Sequence, residues 1–202
     1  MKTLILATMA ALAIAGTAGC ALTSKADAMS VRWFTPETVK PRITSAGGDR
    51  IEGPSLELGR VSSGMNLREK IAYRDAAYEV GYYDDRRWTE RPEVFVRREL
   101  SRTLFEEYGM RRALAGQSPI LDVEVLAFEE LRAPHAARVQ LRLIVRDDTH
   151  ALLEKTITVD RPVAGGSKEF DGLIQAMAQA LDAAANETAK ETEAALRRSS
   201  PR

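Results

Sequence analysis

Few side chains in this 202-residue chain could do chemistry, and their spacing decides what they can do. There is one cysteine, Cys20, and there are two histidines, His135 and His150. Two histidines with no cysteine or acidic cluster at ligand spacing make no metal site, and both read as surface turn residues. A serine nucleophile would need a Gly-x-Ser-x-Gly elbow, which the chain lacks. The adjacent acids Asp84-Asp85, Glu129-Glu130 and Asp147-Asp148 read as solvated turn residues rather than a tuned acid/base pair. Gly47-Gly48 and Gly165-Gly166 do not join a strand to a helix with the lysine and hydroxyl that a phosphate loop needs. The expectation is therefore a non-enzymatic chain with no catalytic residue, no cofactor and no metal.

Cys20 owes its significance to what precedes it. Lys2 is followed by an apolar run, Leu4 through Ala15, and then by the small residues Gly16-Thr17-Ala18-Gly19. A charged start, an apolar stretch and a small-residue processing site occur here in the order of a signal peptide. The run is too short to cross a bilayer, which takes about 20 apolar residues. Two readings fit the cysteine. One is an ordinary signal peptide with cleavage at Ala26 or Ala28. The other is a lipoprotein signal cleaved just before Cys20, because Ala18-Gly19-Cys20 resembles the bacterial lipobox, with Thr17 where such signals usually carry an aliphatic residue. Acylation would consume a lone thiol that has no partner for a disulfide. Each buried methylene contributes about 0.8 kcal/mol, so one acyl chain binds marginally and two or more bind stably. Ala21, rather than aspartate, follows the cysteine, a pattern that resembles outer-membrane sorting in Gram-negative lipoproteins.

The expected organisation is a signal peptide over 1–19, a small polar tether over 20–29, a folded domain over 30–197 and a frayed tail over 198–202. Removing the first nineteen residues leaves 183, with 28 basic and 29 acidic side chains. That is one domain able to build a core. Near-neutral charge excludes nucleic acid as a partner, since phosphate binding wants a basic excess.

The elements follow from periodicity. Residues 30–35 form a short strand stopped by Pro36, and the breakers over 36–54 mark a loop. Leu56–Val61, Ile71–Arg74 and Ala77–Tyr83 read as strands, with Asp84-Asp85-Arg86-Arg87 as a polar break before Trp88. A helix spans 91–108, with Pro92 in its first turn and an apolar stripe of Val96, Leu100, Leu104 and Tyr108. Three alternating strands follow, over 121–127, 137–146 and 153–160, joined by turns at Pro134-His135 and Asp147–His150. A second helix, capped by Ser167, carries Phe170, Leu173, Ile174, Met177 and Leu181. Its stripe fades beyond about residue 188. The fold class is α+β: an antiparallel sheet with two helices packed on one face.

The aromatics Trp33, Tyr73, Tyr78, Tyr82, Tyr83 and Trp88 cluster in the first half. Most belong to packing. Trp88 with Arg86 and Arg87 is the candidate partner surface, because Trp and Arg are enriched at interface hot spots.

The segment Tyr82-Tyr83-Asp84-Asp85-Arg86-Arg87-Trp88-Thr89-Glu90-Arg91-Pro92 resembles the approach to the first helix in the ABC-type transport auxiliary lipoproteins. Leu58-Gly59-Arg60-Val61, Leu67 through Tyr73, and Phe170-Asp171-Gly172-Leu173 also resemble that family, over about residues 30–195. The resemblance implies a periplasm-facing lipoprotein, with palmitate on its cysteine, in the outer membrane. It would serve as the auxiliary component of an MCE-type ABC transporter of lipids or other hydrophobic molecules. The implied partners are the membrane, an MCE-type periplasmic protein and further copies of the chain; ATP hydrolysis would lie in a separate subunit. The alternative is a stand-alone lipid- or ligand-binding envelope lipoprotein, and an envelope hydrolase is the least supported reading.

Overall fold

The computed structural model describes residues 30–36, 53–114, 116, 118–164 and 169–199. Arg32–Arg202 forms one compact unit, and the account below concerns it. The signal segment, Cys20, the tether, Ser167 and most of the 36–54 loop lie outside the described residues.

The sheet is built around three long strands in a meander: β6 (Ile120–Leu131), β7 (Ala136–Arg146) and β8 (Ala151–Pro162). Along β7, Ala137, Val139, Leu141, Leu143 and Val145 are all fully buried, and the residues between them are polar apart from Ile144. This period-two pattern is what one covered and one wet face requires. The hairpin between β7 and β8 is held by Asp147, whose Oδ1 accepts from the backbone N–H groups of Thr149 at 2.8 Å and His150 at 2.7 Å. These donors hold its carboxyl below the usual carboxylate range.

The other edge of β6 is shared by two strands. Its first half pairs in parallel with β2 (Ser55–Ser63), and its last residues pair in parallel with β3 (Lys70–Ala76). A bulge between Val125 and Ala127 lies between the two halves. Antiparallel β4 (Glu79–Trp88) follows β3, and β1 (Arg32–Phe34) pairs in parallel with β4. β5 (Arg111–Arg112) pairs in parallel with β2. The expected α+β class holds, with antiparallel pairing the more extensive. The parallel junctions are an addition that strand periodicity does not encode.

Helix α1 (Pro92–Arg102) starts at proline, as expected, and passes into a π-helical turn over Thr103–Glu107. Gly109, with φ of +64°, ends the segment. Arg102 pairs with Glu99 and Glu107 within this region and reaches helix α2 (Glu169–Ser199) at Asp182, 3.4 Å away. Both helices cover the apolar face of the sheet. A 31-residue helix is about 46 Å long, enough to run the length of the strands. Its buried stripe does not stop near 188. Ala189, Thr192, Ala195 and Leu196 are buried too, so small residues continue the contact where apolar bulk runs out. The helix reaches Ser199, into the span read as tail.

Candidate functional site

The polar break expected at residues 84–87 is instead continuous strand, and its irregularity organises the region. Between the pairs Ala72↔Tyr82 and Lys70↔Arg87, β4 carries three more residues than β3. This bulge shifts the alternation, so Tyr83 and Arg86 come to the same side of the sheet. The Arg86 guanidinium lies 4.7 Å from the Tyr83 ring centroid and 4.0 Å from that of Phe170. Its Nε is buried with no hydrogen bond and stands 3.5 Å from Asp85 Oδ1.

Trp88 is not a surface residue, which corrects that part of the expected partner patch. It is fully buried, edge-on to Phe128 at 5.3 Å and to Phe95 at 6.2 Å. The strand runs on through the acidic and basic residues and delivers the indole beneath α1. Arg86 is half-buried in the aromatic stack. Arg87 is also half-buried and donates from one nitrogen to the carbonyls of Tyr83 and Arg86, both at 2.8 Å.

Glu129 and Glu130 overturn the reading of that acid pair as solvated. Both are buried in β6, not set in a turn. Each therefore needs partners, and each has them. Arg74 grips Glu129 with two guanidinium nitrogens, at 2.7 and 3.2 Å. The Tyr83 hydroxyl donates to Glu130 Oε2 at 2.5 Å, and His135 Nδ1 lies 3.3 Å from Oε1. Burial and the adjacent carboxylate push the Tyr83 phenol up to about 12. His135 takes a left-handed backbone, φ 64°, in the turn that returns it toward β6.

Around this pair, Tyr83, Arg86, Glu130, Arg132, His135, Phe170 and Leu173 line a hollow of about 350 Å³. Arg132 covers the Tyr73 ring at 3.3 Å. Tyr73 in turn lies across Gly81, where any Cβ would overlap its ring. Phe170, in the first turn of α2, wedges against Phe34 at 4.7 Å and Tyr83 at 5.3 Å. The cluster can clamp the start of α2 onto the sheet, and its cations can meet an anion at the rim. Among the described residues no group of three or more His, Cys, Asp or Glu could hold a metal ion. The same residues contain no helix long and apolar enough to cross a membrane.

On the opposite face the charges are paired across strands. Arg138 grips Asp160 at 2.8 and 2.7 Å and holds it below the usual carboxylate range. Gln140 donates to Thr158 at 2.8 Å, and Arg146 to Asp122 at 3.1 Å. A shallow hollow of about 710 Å³ opens there, with Leu58, Ile120 and Ile144 among charged walls. The cross-strand pairs satisfy one another and leave a largely neutral surface.

Three solved structures share the fold. A Xanthomonas campestris protein of the DUF330 family is 20% identical, with a TM-score of 0.61, over 84% of this chain and 95% of that one. A crystal structure of an uncharacterized protein is 15% identical, with a TM-score of 0.60, over 68% of this chain and 91% of the other. A hypothetical protein from Chlamydia trachomatis is 12% identical, with a TM-score of 0.50, over 71% of this chain and 98% of that one. No curated protein matches the chain. The fold thus defines a class of small α+β domains, with one short and one long helix over a mixed sheet. Within it, residues 37–189 match the family described as the ABC-type transport auxiliary lipoprotein component, and the chain belongs to that family.

Proposed function

We propose that this protein is a non-enzymatic, periplasm-facing lipoprotein that serves an MCE-type ABC transporter of lipids or other hydrophobic molecules. Acyl chains on Cys20 hold it at the outer membrane, and the α+β domain docks the transporter, as a single copy or as several. The observation that carries the reading is the family match over residues 37–189. It is supported by the lipobox-like run ending at Cys20. The packing also favours docking over a stand-alone lipid carrier. The layer between sheet and helices is filled by fully buried side chains such as Phe95, Leu100, Leu141, Leu143 and Met177. A lipid carrier would need that space open.

The test is crosslinking in intact cells, followed by purification from membranes. Recovery of an MCE-domain protein with a permease and an ATPase supports the proposal, and their consistent absence sinks it. Replacing Cys20 with serine should release the protein from membranes and abolish labelling by palmitate. Unchanged retention would refute the anchor.

A further inference from the structure

The bulge in β4 that turns Arg86 inward places Arg87 on the other side, and there it meets two neighbours. Arg87 pairs in register with Trp33 of β1 on one flank and with Lys70 of β3 on the other. Side chains directly across neighbouring strands share a face. A row Lys70–Arg87–Trp33 therefore runs out to the sheet edge. Trp33 is 58% exposed, although its neighbour Phe34 packs against Phe170. Beside the row lies a hollow of about 360 Å³, lined by Met65, Arg68, Lys70, Tyr82 and Arg87, with Asn66 and Glu69. Met65 is 85% exposed. The acids nearby are engaged: Glu69 pairs with Arg91 at 3.2 Å, and Asp84 lies 3.9 Å from Lys70.

We propose that this patch, with Trp33 at its edge, rests on an anionic phospholipid surface. The inference builds on the reading of Cys20 as a lipid anchor and says which side of the domain that anchor brings to the membrane. Two observations favour a membrane over another protein. The first is chemistry. An exposed indole, a thioether chain and a tyrosine suit the boundary between headgroups and acyl chains, and the cations in excess of the Lys70–Asp84 pair, Arg68 and Arg87, suit its phosphates. The second is reach. Trp33 stands 13 positions after Cys20, so at most about 45 Å of extended chain separates it from the anchor. The strand that carries Trp33 is the first element among the described residues after Cys20. Anchoring makes the encounter intramolecular, so a patch too weak to bind vesicles alone would still be occupied.

The protein carries its own reporter, because its two tryptophans differ: Trp33 is exposed and Trp88 is fully buried. The full-length protein, purified from membranes, is reconstituted in phosphatidylethanolamine/phosphatidylglycerol vesicles with or without acyl-chain-brominated lipid. Bromine quenches only indoles within contact range. The expected result is loss of the Trp33 share of the emission in brominated vesicles. Trp33→Phe should leave a Trp88 signal that bromine does not touch. Arg68→Glu with Lys70→Glu should restore the Trp33 emission. Protein that floats with the vesicles and carries acyl chains on Cys20 by mass spectrometry, yet shows equal emission in both lipids, overturns the proposal and leaves the anchor standing. Equal emission in both lipids, with a change in Trp33 emission once the purified transporter is added, also overturns it and assigns the patch to the protein partner. Protein that carries no acyl chain but is still quenched would refute the anchor and keep the patch.

Discussion

Replacing Trp88 with alanine separates a core role from a docking role most sharply. The indole is fully buried and packs edge-on against Phe95 and Phe128. Truncating such a residue costs about 3–5 kcal/mol when the surroundings relax only in part. One feature works the other way. Nε1 is buried without a hydrogen-bond partner, and removing an unsatisfied donor returns about 1–3 kcal/mol. The net expectation for Trp88→Ala is a loss of about 2 kcal/mol. With a urea dependence of about 2 kcal/mol/M, the unfolding midpoint falls by about 1 M. Trp88→Phe keeps a ring between Phe95 and Phe128 and removes the orphan N–H, so it should stay within about 1 kcal/mol of the wild type. Equilibrium urea unfolding, followed by far-ultraviolet circular dichroism, measures both. A Trp88→Ala loss below about 1 kcal/mol would refute the packing argument. So would lost transporter binding at unchanged stability, which would return Trp88 to the surface role first read for it.

Two further outcomes follow from buried polar groups. The Tyr83 phenol is pushed up to about 12 from its ordinary 10.0, so the folded state holds this proton after the unfolded chain has released it. Its contribution is complete below the unfolded value and is lost as pH rises through the folded one, because the phenolate would be buried away from water and would face Glu130. Thermal melts across that alkaline window should show a decline that Tyr83→Phe flattens, and parallel curves for the two proteins would refute it. On α2, the Thr192 hydroxyl is buried without a partner, whereas Thr188 donates to the Ala184 carbonyl at 2.7 Å. Thr192→Val should therefore be neutral or stabilise by up to about 1 kcal/mol, while Thr188→Val should destabilise by about 1 kcal/mol. The reverse order in urea midpoints would contradict the burial of the helix end.

The chain itself settles its element types and their order, because periodicity is a local property. The run from Ala137 to Val145 reads as a half-buried strand in any setting, and Pro92 marks a helix start with no knowledge of what the helix covers. The motif at Cys20 is likewise a matter of adjacent residues. Fate at a bulge or a shared edge is different, since it depends on residues far away. Asp84–Arg87 looks like a solvent break, yet partners in β3 and β1 keep it in the sheet, and three extra residues set which side each side chain takes. Glu129 and Glu130 look like a wet acid pair, yet Arg74 and Tyr83, more than 45 positions away, make their burial affordable. The sequence carries only a faint hint of this: both acids continue an alternating strand. The tail of α2 lacks bulky apolar residues and so looks spent after 188, but small residues bury well where a helix lies close on a sheet. Composition and pattern thus determined an α+β domain behind a signal-like segment. Only the tertiary structure decided which tryptophan is core and which faces out, because that follows from register across strands.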